Sequence, residues 1–277
     1  MIIAVGAIGG SGTRAVAQIL IESEIYFGDY LNGPLDNLLF TSLFKNPDWY
    51  KTATLEEKNY RLKLFTKYMS NEHLSIKEKN RINKAAYSNP FYNSGRRFYF
   101  NVLLKKNRQH SHLNEIWGWK EPNTQIYIEE ISDFFPNLKY IHVIRNGLDM
   151  AFSKNKQQLY NWGFKFNVTI KPTDDKKEIT TKQLEYWNKA NKYTIDTGRR
   201  LLGDNFYLLN HQKLCEQPEM EIKNLFEFLD INITNETKQK LSAIPVIPKS
   251  NNRYLKEDLS IFTKQQIAEV TDLGFNV

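Results

Sequence analysis

The chain opens on an apolar run, Ile2-Ile3-Ala4-Val5, followed by a glycine-rich stretch and then by Ala15 to Ile21, apolar without alternation. That pattern predicts a strand, a tight loop and a helix. Residues 34–50 are rich in Leu and aromatics, which predicts a helix started by Pro34 and Asp36 and ended by Pro47. Residues 54–88 read as two charged amphipathic helices. Thr54-Leu55-Glu56-Glu57 and Ser75-Ile76-Lys77-Glu78 have the spacing of capping boxes. Residues 34–112 are therefore expected to be a mostly helical insertion, serving as a lid or an acceptor-binding region.

An alternation of strands and helices resumes beyond it. Trp117-Gly118-Trp119-Lys120 is a short strand, Tyr127 to Phe135 a helix stopped by Pro136, and Lys139 to Ile144 a strongly β-prone run. A helix follows from Gly147, and another covers about 180–201. Phe206 to Leu209 is a further strand, Glu219 to Leu229 an amphipathic helix, and Lys264 to Leu273 the last helix. Strands alternating with helices imply a mostly parallel sheet covered on both faces. The expectation is an α/β fold, a P-loop-like three-layer sandwich, forming one domain over 1–277 with the helical insertion.

Composition narrows the class. With 277 residues and 41% hydrophobic content the chain can bury a real core. Cys215 is the one cysteine, so no internal disulfide can form, which fits a reducing cytoplasm. Its setting, His211 to Glu216, reads as the exit from a strand. The opening apolar run lacks a basic leader, and no segment approaches the ~20 apolar residues needed to span a bilayer. The net charge of +7 fits an anionic cosubstrate or acceptor, or a solvated basic surface. No helix-turn-helix, zinc-finger or RNA-binding signature accompanies it, so nucleic acid is not an expected partner. There is no H-E-x-x-H and no C-x-x-C, and no metal is expected.

The chemistry concentrates in two places. In Gly9-Gly10-Ser11-Gly12-Thr13-Arg14, backbone N–H groups face outward and the helix start carries partial positive charge, so an anion is the natural occupant. The ATP/GTP loop G-x-x-x-x-G-K-[ST] is not matched, because the loop holds no Lys. The second place is Arg145-Asn146-Gly147-Leu148-Asp149-Met150-Ala151-Phe152-Ser153. Arg145 leaves its strand at the carboxyl edge, where open α/β sheets bind ligands. An Arg fork with a hydroxyl can clamp a second phosphate. Equally, Arg145 can pair with Asp149 and Ser153 can be buried.

Together the two segments resemble the sulfotransferases that use 3′-phosphoadenosine 5′-phosphosulfate (PAPS). Gly-Ser-Gly-Thr-Arg-Ala is similar to the K-G-G-T-R-A of heparan-type carbohydrate sulfotransferases. The Arg145 to Ser153 segment is similar to the family's 3′-phosphate motif. Tyr207 to Leu214, with Pro218 and Phe228-Leu229, looks like a degraded form of a third family segment. The resemblance spans about 1–30 and 117–229.

It implies that Gly10, Ser11, Gly12, Thr13 and Arg14 hold the 5′-phosphosulfate, and that Arg145 and Ser153 hold the 3′-phosphate. Lys120, in Lys120-Glu121-Pro122, matches the family's Lys near the transferring sulfuryl group. Arg253, in the polar loop 249–254, falls where the family closes over its cosubstrate. Trp187 is a candidate for packing near adenine or for the core. Asp29, Glu121, and His110 with His112 are candidate general bases, in that order. The family's loop Lys falls on Gly10, leaving Arg14 and Lys120 to supply charge. The implied acceptor is a hydroxylated molecule; Arg96, Arg97, Lys105 and Lys106 would suit an anionic glycan. A non-catalytic nucleotide-binding relative and a P-loop kinase remain the alternatives.

Overall fold

The computed structural model describes residues 1–90 and 116–277. Four strands, β1 (Ile2–Ala7), β2 (Trp117–Lys120), β3 (Leu138–Ile144) and β4 (Phe206–Asn210), form one sheet in the order β2-β1-β3-β4. Every pairing is parallel, with Ile2 opposite Trp117 on one side and Leu138 on the other. Period-two alternation divides the core between the faces. Ile3, Val5, Ala7, Ile141, Val143 and Leu209 point to a cluster closed by α1 (Thr13–Glu22) and α11 (Pro218–Leu229). Ala4, Leu138, Tyr140 and Ile144 point to the larger cluster.

That larger cluster is built with α2 (Leu38–Phe44), α3 (Pro47–Thr52), α4 (Leu55–Met69) and α5 (Ile76–Ser88). Both expected capping boxes are formed, at Thr54 and at Ser75. Every residue of α2 is buried. Phe40 stacks on Trp119 at 5.5 Å, and Phe65 meets Trp119 edge-on at 5.2 Å. Phe44 and Tyr50 both contact Tyr127. These aromatics of the insertion are core side chains. Phe91, Tyr92, Phe98 to Phe100, the four cations from Arg96 to Lys106, and His110 and His112 lie outside the described residues.

Two sequence expectations are corrected here. The 34–50 segment is two helices, because Asn37 and Asn46 each cap a separate start and Pro47 opens the second helix. Pro34 and Asp36 belong to the loop before them. His211–Glu216 does leave a strand, directly after β4, and it does so as a short helix, α10 (His211–Glu216), which carries Cys215. The remaining elements relevant to the site are α6 (Ile128–Phe134), α7 (Gly147–Ala151), α8 (Gln157–Trp162) and α9 (Lys176–Leu202). They are followed by α12 (Asn235–Ser242) and α13 (Lys264–Asp272). The long α9 packs along β3, α6 and α7. Trp187 is fully buried on it, against Gly147 and Phe275, so its place is the core.

Candidate active site

The carboxyl ends of β1 and β3 open onto a cavity of about 400 Å³. Its phosphate-sized floor is the turn after β1. The Ser11 amide donates to the Ile8 carbonyl at 3.1 Å, which closes the turn. Gly10 and Gly12 both take positive φ, 99° and 94°, a conformation that glycine adopts without the steric cost of a Cβ. At Gly12 a Cβ would also meet the His211 ring at 1.9 Å. A side chain at Gly10 would be strained by its positive φ, and its Cβ would meet Met150 Cε at 3.3 Å. Gly12 caps α1 without a side-chain bond, and the first turn holds no acid. The leading N–H groups of α1 therefore have no carboxylate competing for them. Ser11 and Thr13 are buried in the turn, whereas Arg14 is exposed and lines the cavity.

Arg145 crosses the back of this floor. Its Nη1 donates to the Gly10 carbonyl at 3.5 Å and its Nη2 to the Ser250 hydroxyl at 3.0 Å. Asp149 Oδ2 lies 3.6 Å away and accepts from the Asn252 amide at 3.0 Å. Burial holds the guanidinium below its ordinary value, Asp149 opposing and Arg253 reinforcing. The buried Nε has no partner. An orphaned donor on a buried cation is costly, and an anion in the cavity would relieve it.

Ser153 is not in this cavity. It lines a neighbouring one of about 850 Å³, with Lys154, Lys156 and Asp258. Its hydroxyl accepts from the Asn155 amide at 3.2 Å, and Asn155 lines the first cavity. Arg253 lines neither, and its Nε donates to the Ser250 carbonyl at 3.2 Å. Burial, then Arg253, then Lys176 push Lys156 down to about 8. Arg253 thus acts on both Arg145 and Lys156, and Lys156 joins a cluster of cations that sequence reasoning passed over.

The opposite wall carries the groups suited to chemistry. Lys120 ends β2 with only 1% of its surface exposed. Its ammonium donates to the Pro34 carbonyl at 2.7 Å and to Asp36 Oδ1 at 2.5 Å. Glu121, also 1% exposed, accepts from the Asn123 amide at 2.6 Å and from Asn123 Nδ2 at 2.8 Å. Burial raises its carboxyl to about 6, with Lys45 opposing and Asp36 adding to the rise. Lys45 reaches Gln157 at 3.1 Å. Both line the cavity together with Gln158, which accepts from Gln125 at 3.0 Å. Asp29 is exposed and is not among the lining residues.

Two lining residues had no clear sequence signal. Asp36 looked like a helix start. His211 sat in the degraded third segment. Burial, then the charge of Arg145, lower the His211 imidazole to about 4, so it faces Gly12 uncharged at neutral pH. Among the described residues, no group of His, Cys, Asp and Glu could hold a metal, and no helix is long and apolar enough to cross a membrane.

A family model described as "Sulfotransferase family" matches residues 3–235. The chain is similar to an uncharacterised protein of Aquifex aeolicus (strain VF5), 28% identical over half of this chain and 16% of that protein. It is similar to protein-tyrosine sulfotransferase A of Caenorhabditis elegans, 28% identical over 40% of this chain and 27% of that one. The aligned stretches thus span well under a third of these curated relatives. In fold it is similar to the sulfotransferase STF9 of Mycobacterium avium, with a TM-score of 0.51 at 12% identity. That likeness covers 99% of this chain and 76% of that one.

Proposed function

The chain belongs to the sulfotransferase family, and from that premise we propose that it transfers a sulfuryl group from PAPS to an acceptor hydroxyl. The observation that carries the reading is one cavity bounded by the glycine turn, Arg145, Lys120 and Glu121. The turn and the α1 start take the 5′-phosphosulfate, with Ser11, Thr13 and Arg14 around it. Arg145 takes the 3′-phosphate. Ser153 and Lys156 line the neighbouring cavity, and Arg253 acts through its charge on Arg145 and Lys156.

The acceptor oxygen attacks sulfur in line with the bridging oxygen of the phosphosulfate. An S–O bond forms to the acceptor as the S–O bond to the bridging oxygen breaks. The electron pair leaves with adenosine 3′,5′-bisphosphate (PAP), and the acceptor's proton passes to a carboxylate. Such loose displacements are governed by positioning and charge stabilisation. Lys120 and Arg14 are placed to meet the charge developing on the bridging oxygen. Glu121 is the proton acceptor: it lines the cavity, and a value of about 6 leaves it ionised yet basic at neutral pH.

The lining also supports a hydroxyl-rich acceptor such as a carbohydrate. Asn155, Gln157 and Gln183 supply amides to the lining. Amides match sugar hydroxyls in both directions, donor and acceptor. The test is release of PAP from PAPS in the presence of neutral oligosaccharides. Turnover in the wild type, lost in Lys120→Ala, supports the reading. PAP binding without turnover on any hydroxylated acceptor would favour a nucleotide-binding relative without catalysis, the outcome that a loop without Lys keeps open.

A further inference from the structure

We propose that Asp36, on the loop between α1 and α2, is a positioning residue that fixes the Lys120 ammonium and sets the charge environment of Glu121. The proposal rests on the sulfuryl-transfer reading and deepens it. It begins from a problem of burial. Lys120 is almost wholly enclosed, and an enclosed ammonium needs partners for its donors. An ammonium has three N–H donors. Two are taken by one short loop, through the Pro34 carbonyl and Asp36 Oδ1. The third remains for a group in the cavity that Lys120 lines.

The loop is built to hold that grip. Asp36 Oδ2 accepts from Asn32 Nδ2 at 2.8 Å, while the Asp36 amide donates to Asn32 Oδ1 at 2.8 Å. The Asn32 amide returns to the Asp36 carbonyl at 3.2 Å. The Asn37 amide donates to the Lys120 carbonyl at 2.8 Å, locking the loop to the strand that carries the lysine. Asp36 therefore stands in a fixed geometry rather than on a swinging side chain. Preorganisation of this kind separates a reactive arrangement from a merely adjacent one.

The same carboxylate acts on the neighbouring acid. Glu121 is faced by Lys45 from the end of α2, by Asp36 from the loop and by the backbone and side-chain amides of Asn123. Burial raises the Glu121 carboxyl, Lys45 lowers it, and Asp36 raises it. One residue thus serves both ends of the transfer: it orients the cation for the departing oxygen and favours proton uptake from the attacking one.

The experiment compares wild type, Asp36→Asn and Asp36→Glu. PAP release from PAPS is followed across pH with chitotetraose as acceptor, and thermal stabilisation by PAP is measured alongside. For Asp36→Asn, PAP stabilisation is retained and kcat falls by about a hundredfold, the scale of a misplaced catalytic group. The acid limb of its pH–rate profile moves to lower pH, because removing a negative charge makes Glu121 a stronger acid. Asp36→Glu keeps the charge and returns the limb towards wild type. A limb that stays put in a folded, PAP-binding Asp36→Asn overturns the proposal, because a purely structural role would lower the rate without moving it.

If Asp36→Asn does not fold, or if chitotetraose gives no turnover, the carboxyl of Glu121 is titrated by ¹³C NMR in the wild type and in Asp36→Glu. Asp36→Ser, which also removes the charge, is titrated beside them: a Glu121 carboxyl that titrates lower in Asp36→Ser than in wild type and Asp36→Glu supports the proposal, and one that titrates alike in all three overturns it. Failure of the sulfuryl-transfer reading itself shows differently, as a wild type that PAP does not stabilise.

Discussion

The two walls of the cavity are built by different means. The wall proposed for the nucleotide is made largely of backbone: a five-residue turn with two glycines at positive φ, an uncapped helix start, and one Arg at the end of the adjacent strand. The wall proposed for the acceptor is made of side chains brought from separate segments: Asp36 from a loop, Lys45 after α2, and Lys120 and Glu121 from β2 and its exit. Backbone sites depend on conformation and tolerate little change in shape. Side-chain sites depend on charge and can be altered without disturbing the sheet.

The contrast can be broken most severely at Gly12. Gly12→Ala puts a Cβ 1.9 Å from the His211 ring at a φ of 94°. Strain and overpacking together are expected to cost about 3 kcal/mol and to abolish stabilisation by PAP. Chemical denaturation with and without PAP checks both. The acceptor wall should answer differently. Lys120→Met and Glu121→Gln are each expected to slow transfer by about a hundredfold or more while PAP still binds. Single-turnover measurements at saturating PAPS separate the two effects.

Arg145→Ala sharpens the comparison within the nucleotide wall. It removes charge-assisted hydrogen bonds and is expected to weaken PAP by about 2 kcal/mol while leaving ADP nearly unchanged. Calorimetric titration of the two nucleotides reads that difference.

The smallest effect concerns stability against pH. The Glu121 carboxyl stands at about 6 in the folded protein against a reference of 4.5. Between those values the native state binds more protons than the unfolded chain, so this group makes stability fall as pH rises through that window. Glu121→Gln should remove that fall, which urea titrations at pH 4.5 and pH 7 would show.

The difference between the walls also explains what the sequence disclosed. The glycine turn and the Arg145 segment each lie within ten consecutive residues, and local patterns report local geometry. The strands, the capping boxes at Thr54 and Ser75, and the parallel sheet were legible for the same reason. Asp36 was not. In isolation an Asp after Pro34 resembles a helix start, but Asn37 does the capping and Asp36 is spent on Lys120, a contact across 84 positions. That the insertion's aromatics build the core is visible only in space, where Phe40 and Phe65 pack on Trp119. Asp29 follows helix 1 closely in sequence, yet the chain turns it to solvent before the loop reaches Lys120.

The central claim is that this cavity takes a nucleotide bearing a 3′-phosphate. Thermal unfolding of the wild type and Arg145→Ala, each with PAP, ADP or ATP, tests it most directly. A ligand that binds only the folded state at about 100 times its Kd adds about 2.7 kcal/mol. Wild type with PAP should gain that stabilisation, and Arg145→Ala should lose most of it. Equal or greater stabilisation by ATP or ADP, or none by PAP, would contradict the claim.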